Sequence, residues 1–277
     1  MFNLKILSEM YRMELSDYKK LISSFTSSPS QEKTVWKEDG KLCMLFIEFR
    51  NMDIIKHNLN NICNVYGGTD ASLSIVHSGE NEEMILDITK DWKNVKYMKL
   101  YENNIDIHEY NHLLTSHEFW SRFSKHEYVL LNQWDSYLFK EIPNKFFSYD
   151  LVGGPIAHFY VIHNGTLMNI CSEECKCPRC NHSDHPFKAK NFKDHPNKMF
   201  LYNGGFCLHK VSSTIELCKS KQWTGEPEDV YFSISNLTKP SLEEAAEFSV
   251  NHTRHHNPAG CHQVWIHDED YVRSLFK

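Results

Sequence analysis

The chain has 277 residues, 41% of them hydrophobic and 13% aromatic, and a formal charge of −6. That length supports one large α/β domain or two modest ones with a real core. No basic block offers the clustered Lys and Arg that nucleic-acid phosphates require, and no stretch approaches the roughly 20 apolar residues of a membrane span.

Residues 4 to 25 place Leu7, Tyr11, Tyr18, Leu21, Ile22 and Phe25 at helical spacing. Lys5, Glu9, Arg12, Glu14 and Asp17 interrupt the segment, so it is no signal peptide. The expected amphipathic helix could pack on the main domain or join two copies into a homodimer. A Ser-rich linker with Pro29 and Gly40 completes residues 1–40. The 9 cysteines are odd in number and mostly scattered, which fits reduced thiols and a cytoplasmic protein. The many Asn, Lys and Ile residues hint at an AT-rich genome such as that of a large DNA virus, in which case the compartment is the host cytoplasm.

From residue 41 onward strands and helices alternate. Leu42 to Phe49 reads as a buried strand ending in Arg50-Asn51, and 53 to 66 as a helix closed by Gly67-Gly68. Leu73 to Val76 is a strand, 81 to 92 helical, Val95 to Tyr101 a strand, and 107 to 115 and 117 to 125 helical. Tyr128 to Leu131 is a strand that runs into Gln133-Trp134-Asp135-Ser136. Such repetition argues for βαβ units in a mostly parallel sheet, with ligands at the C-terminal strand ends, where Arg50 and Asp135 fall. After Tyr149 to Val152 and the Gly153-Gly154-Pro155 turn the pattern breaks, and 156–200 reads as an irregular Cys/His-rich insertion. Regular structure returns at Phe206 to His209, with helices at 211 to 220 and 227 to 237.

Asp135 could cap a turn or bind a hard divalent cation that neutralises a leaving diphosphate. Gln133 stands where an Asp-x-Asp arrangement would have its first carboxylate. Asn203-Gly204-Gly205 could be a plain turn, or a backbone against which a sugar lies flat. Glu226, Glu228 and Asp229 open a helix, where acidic residues also serve as caps; the chemical alternative makes Asp229 a general base with Glu228 orienting it or the acceptor. His262 could complete a metal site with Asp135 or contact a diphosphate. Cys171, Cys175, Cys177 and Cys180, with His182 and His185 nearby, could hold a structural zinc, remain thiols or form a local disulfide.

At Glu48-Phe49-Arg50, Gln133-Trp134-Asp135-Ser136, Tyr149-Asp150-Leu151-Val152-Gly153-Gly154-Pro155, Asn203-Gly204-Gly205-Phe206-Cys207-Leu208-His209, Pro227-Glu228-Asp229-Val230-Tyr231-Phe232 and Gly260-Cys261-His262-Gln263-Val264-Trp265, the chain resembles a family of uncharacterised glycosyltransferase-like domains of bacteria, fungi and large DNA viruses. The motifs occur in order over roughly residues 42 to 266. The resemblance implies a GT-A-like, Rossmann-type mixed sheet flanked by helices, with a nucleotide-binding half at about 41–136 and an acceptor half at about 137–277. It further implies that Glu48, Arg50, Asn51, Asp135, Ser136, Asn203, Gly204 and Gly205 bind the donor. On the same footing Asp135 and His262 hold Mn²⁺ or Mg²⁺ or meet the diphosphate, and Asp229 is the base of an inverting transfer. Cys207 replaces the family's Ser and His209 its Arg.

The expected activity is therefore transfer of a sugar from a nucleoside-diphosphate sugar to a glycan or other hydroxyl acceptor. The alternatives are a catalytically degenerate sugar- or nucleotide-binding module and a zinc-stapled interaction protein.

Overall fold

A computed structural model describes residues 13–163, 166–171 and 198–277. The elements in chain order are α1 (Leu15–Phe25), β1 (Leu42–Ile47), α2 (Ile54–Tyr66), β2 (Ser72–Ser78), α3 (Glu82–Ile88), β3 (Val95–Tyr101), α4 (Ile107–Leu114), α5 (His117–Ser121), β4 (Tyr128–Asn132), β5 (Ser136–Leu138), β6 (Leu151–His163), β7 (Thr166–Cys171) and β8 (Lys198–Lys210). They continue with α6 (Val211–Ser220), α7 (Glu228–Ser233), α8 (Leu242–Phe248), β9 (Ser249–Val250), β10 (Gly260–His262) and α9 (Glu269–Leu275).

A seven-stranded sheet has the order β3-β2-β1-β4-β8-β6-β7. β1 runs parallel to β2 and β4, and β2 parallel to β3, while β8 is antiparallel to β4 and β6. The Rossmann-type α/β sheet flanked by helices is thus as expected, but only its first half is parallel.

The strands β1 and β4 read as near-continuous apolar runs because both of their faces are covered. Met44, Phe46 and Leu130 pack with Ile55, Leu59 and Ile62 of α2 on one face. Cys43, Leu45, Val129 and Leu131 alternate with them and pack against Phe119, Trp120 and Phe123 on the other.

The N-terminal helix α1 buries Tyr18, Leu21 and Ile22 in a third cluster with Cys261, Val264 and Val272 of its own chain. Its apolar face is therefore used within the chain.

The reading of 156–200 as irregular is corrected at both ends. β6 extends to His163 and pairs with β7 and β8, so these residues widen the sheet. Gly153 and Pro155 lie within β6, and the register with β8 shifts there, which explains why they resembled a turn. A small sheet β5-β10-β9, unforeseen from sequence, sits beside the main one.

Candidate functional site

Strand order reverses between β1 and β4: β2 and β3 lie to one side, and β4 follows on the other. In open α/β sheets the crevice beyond the carboxyl ends at such a point receives ligands. Glu48-Phe49-Arg50 follows β1, and Gln133-Trp134-Asp135 follows β4. β8 enters antiparallel, so Asn203-Gly204-Gly205 reaches the same edge; the Gln133 N–H donates to the Gly205 carbonyl at 2.9 Å.

Glu48 is buried and saturated. Its Oε1 accepts from the backbone N–H groups of Phe49 and Arg50, each at 2.9 Å, and from Arg50 Nε at 2.8 Å. Its Oε2 takes Arg50 Nη2 at 2.8 Å. This bidentate pair positions Arg50 rather than leaving Glu48 free for a ligand. The guanidinium lies 5.6 Å from the Trp134 ring centre, and Trp134 stacks on Trp265 at 5.8 Å. Asn51 stays exposed, with its amide 3.4 Å from the Glu80 carbonyl.

Ser136 closes the turn after β4, donating from Oγ to the Gln133 carbonyl at 2.7 Å, and then pairs with His262 in the small sheet. That pairing sets Asp135 against His262. Asp135 Oδ1 and His262 Nε2 stand 3.0 Å apart, both buried, yet neither has an aligned hydrogen-bond partner. Burial alone would raise the Asp135 pKa, but the facing imidazole and the Gln263 amide outweigh it and the net shift is downward. Gln263 donates from Nε2 to Asp135 Oδ2 at 2.9 Å and from its backbone N–H to the Asp135 carbonyl at 2.9 Å. It does so from a left-handed backbone conformation, φ 49°, a strained state of the kind held at functional sites.

On the far side of the ring, the Asn251 amide lies 3.0 Å from His262 Nδ1 and 3.1 Å from the His262 carbonyl. An Asn amide can present either end, and the end facing Nδ1 decides which ring nitrogen carries the proton.

The two glycines are required by crowding. A Cβ on Gly204 would come 2.7 Å from Glu228 Oε1; one on Gly205 would come 2.1 Å from His262 Nε2 and 2.5 Å from Gln133 Oε1. Asn203 accepts the Gly205 N–H on its Oδ1 at 2.7 Å, which shapes this stretch.

Glu228 and Asp229 occupy the first turn of α7, after Pro227. Burial, reinforced by the charge of Asp229, pushes the Glu228 carboxyl up to about 8. Burial also raises Asp229, against the pull of the Val230 N–H and of His262. Glu226 is turned aside, accepting from Thr224.

A stability consequence follows. The folded protein retains the Glu228 proton that an unfolded chain releases near the ordinary 4.5, so stability falls as pH rises from about 4.5 to about 8 and is level above. Glu228→Gln, neutral throughout, is expected to raise Tm by ~2–5 °C at pH 8.5 and to leave it unchanged at pH 4. An equal Tm difference at both pH values would show that the carboxyl titrates normally.

Three contributors escaped the sequence reading. Tyr110 is one: the Asp106–Glu109 capping box sets the start of α4, and Tyr110 Oη then receives Gln133 Nε2 at 2.5 Å. The others are Asn251, outside every motif, and Gln263, quoted within one but given no role; both are meaningful only through His262 and Asp135. His209, where the resembling family has Arg, is no cation: it lies buried on Trp120, 4.5 Å between ring centres, and burial lowers its pKa to about 3. Cys207 is a buried thiol.

Cys175, Cys177 and Cys180 lie outside the described residues, so the zinc expectation has no support here; Cys171 falls in β7. Among the described residues no three His, Cys, Asp or Glu side chains gather as a metal site. Among them, too, no helix is long and apolar enough to cross a membrane.

A family described as a protein of unknown function, DUF5672, matches residues 94–262, well over half of the chain. No curated protein is significantly similar in sequence. Among solved structures, the galactosyltransferase LgtC in complex with donor and acceptor sugar analogs is 10% identical over 84% of this chain and 95% of its own, with a TM-score of 0.47. An active-site mutant of LgtC is 11% identical over 79% and 86%, TM-score 0.44. The mannosyltransferase PcManGT from Pyrobaculum calidifontis, in complex with GDP-Man and Mn²⁺, is 11% identical over 44% and 35%, TM-score 0.28. Likenesses this distant say nothing of the chain's own chemistry.

Proposed function

From a chain that belongs to the DUF5672 family of unknown function, we propose a glycosyltransferase that moves a sugar from a nucleoside-diphosphate sugar to a hydroxyl acceptor. The observation that carries the reading is the juxtaposition, at one sheet edge, of a buried Asp135–His262 pair with the Glu228–Asp229 carboxylates beside a Gly-Gly backbone. One half suits a diphosphate; the other suits removal of a proton from an acceptor.

The donor set fits a divalent cation. Asp135 Oδ1 and His262 Nε2 are buried, face each other at 3.0 Å and have no hydrogen-bond partner beyond that contact, so together they offer a cation two adjacent donors. They would hold Mn²⁺ or Mg²⁺, which when bound supplies charge to stabilise a departing diphosphate. Gln263 and Asn251 fix these two side chains from behind, and for Nε2 to take a cation the Asn251 amide must turn its oxygen to a protonated Nδ1. Arg50, held by Glu48, brings a cation toward the nucleotide, and the Trp134 ring beneath it gives that end of the site an aromatic floor.

In the Glu228–Asp229 pair the shifts support a division of roles. Glu228, raised to about 8, keeps its proton at neutral pH and orients the acceptor or its neighbour. Asp229 is the member that takes the acceptor hydroxyl proton as the oxygen attacks the anomeric carbon. With a base on the attacking side, the transfer is inverting. In this reading the half at 41–136 supplies Arg50 and Asp135 to the nucleotide, while the half at 137–277 supplies Asp229 to the acceptor and also His262 to the cation.

The test is release of free nucleotide from UDP-, GDP- and TDP-sugars and CMP-sugars with Mn²⁺, with and without sugar acceptors, followed by NMR of the product's anomeric configuration. One donor class is expected to be consumed, with EDTA stopping the reaction and the configuration inverted. Tight donor binding without any nucleotide release would instead identify a degenerate binding module, which the Gln133 replacement of a carboxylate makes the second reading.

A further inference from the structure

We propose that Gln133 is a neutral third ligand of the cation site, set by Tyr110, and that the cation consequently binds together with the nucleotide rather than ahead of it. The inference rests on the cation reading of Asp135 and His262 given above.

Gln133 Oε1 and His262 Nε2 crowd the same side of Gly205, since a single Cβ there would press on both, at 2.5 and 2.1 Å. Asp135 Oδ1 lies 3.0 Å from that same Nε2. Two of these three atoms are buried without an aligned hydrogen-bond partner. The other end of the Gln133 amide is anchored, Nε2 donating to Tyr110 Oη at 2.5 Å, so the oxygen is the end left facing His262. The backbone is pinned as well, by the hydrogen bond from Gln133 N to the Gly205 carbonyl. Amide oxygens are ordinary ligands of hard cations.

The charge of this set is small. Asp135 is its one carboxylate, and among the described residues no further His, Cys, Asp or Glu joins to make a cluster of three. A bare divalent cation is therefore held weakly. A nucleoside diphosphate adds oxygens and negative charge, so each partner strengthens the other by the same factor.

The experiment follows free Mn²⁺ by EPR during titration of the wild-type chain, with Mn²⁺ alone and with UDP or GDP present. The variants are Gln133→Glu, nearly isosteric and able to accept from Tyr110, the shorter Gln133→Asp, and Asp135→Asn; thermal unfolding confirms that each is folded. The wild type is expected to bind Mn²⁺ alone only weakly. Gln133→Glu or Gln133→Asp is expected to tighten that binding at least tenfold and to shrink the enhancement given by nucleotide. If Asp135→Asn abolishes Mn²⁺ binding while neither Gln133 variant tightens it, Gln133 is not a ligand and the inference is overturned. If Mn²⁺ binding is indifferent to Asp135 as well, the cation reading itself fails, and this inference falls with it.

Discussion

Asp229→Asn is expected to lower sugar transfer by ~10²–10⁴-fold while nucleotide binding in the presence of Mn²⁺ stays within about twofold. Asn keeps the size of the side chain and an oxygen able to accept the Val230 N–H, now accepted by Asp229 Oδ1 at 2.7 Å, so the first turn of α7 is preserved. Only the base is lost. Because burial raises the Asp229 pKa, the wild-type rate is expected to fall on the acidic side as that carboxylate takes up a proton. The acid limb should therefore lie above the ordinary Asp value. Steady-state kinetics with the identified donor, read as kcat against pH, checks both points. A variant retaining a third or more of the wild-type rate would move the base elsewhere, and loss of activity in Glu228→Gln alone would assign it to Glu228.

Gly205→Ala is the second large effect. The added methyl would sit 2.1 Å from His262 Nε2 and 2.5 Å from Gln133 Oε1, contacts that force both side chains away. His262 has little room to yield, being held by Asn251 on one side and facing Asp135 on the other. Overpacking of this kind costs ~1–3 kcal/mol, and ligand atoms displaced by about 1 Å cost on the order of 10²-fold in rate. The predicted result is a folded protein with a modestly lowered Tm, no nucleotide-enhanced Mn²⁺ binding, and activity reduced at least 10²-fold. Wild-type-like Mn²⁺ binding in this variant would mean that the cation does not sit among these side chains.

Much of the fold was readable because burial on both faces writes itself into composition. Leu42–Ile47 and Tyr128–Asn132 are strands walled by helices, so each is an apolar run that stops abruptly where the site begins. The polar residues at those stops, Arg50, Gln133 and Asp135, were legible for the same reason. Glu48 was legible as a site residue, but its saturation by Arg50 was not, since that depends on how the chain bends after β1.

What stayed hidden depends on contacts distant in sequence. Asn251 and Gln263 have no local pattern; they matter because β10 pairs with β5 and carries His262 to Asp135. Tyr110 fell within the stretch 107 to 115 read only as helical, with nothing local to mark it. The long strands β6 and β8 were cut short because Gly153-Gly154-Pro155 in the first and Asn203-Gly204-Gly205 in the second carry the signature of a turn, whereas here both lie within continuing strands. His209 stands where the resembling family has Arg, and only the packing of Trp120 and Phe232 around it shows a neutral core residue.

The most direct test of the central claim is a thermal-shift comparison of wild type and Asp135→Asn with UDP, GDP, TDP and CMP, each with Mn²⁺ and with EDTA. A ligand that binds only the folded state raises Tm in proportion to its affinity. A rise of several degrees with one nucleotide is expected in the wild type, present with Mn²⁺, lost with EDTA and lost in Asp135→Asn. No rise with any nucleotide, or a rise that survives both EDTA and the Asp135 substitution, would contradict it.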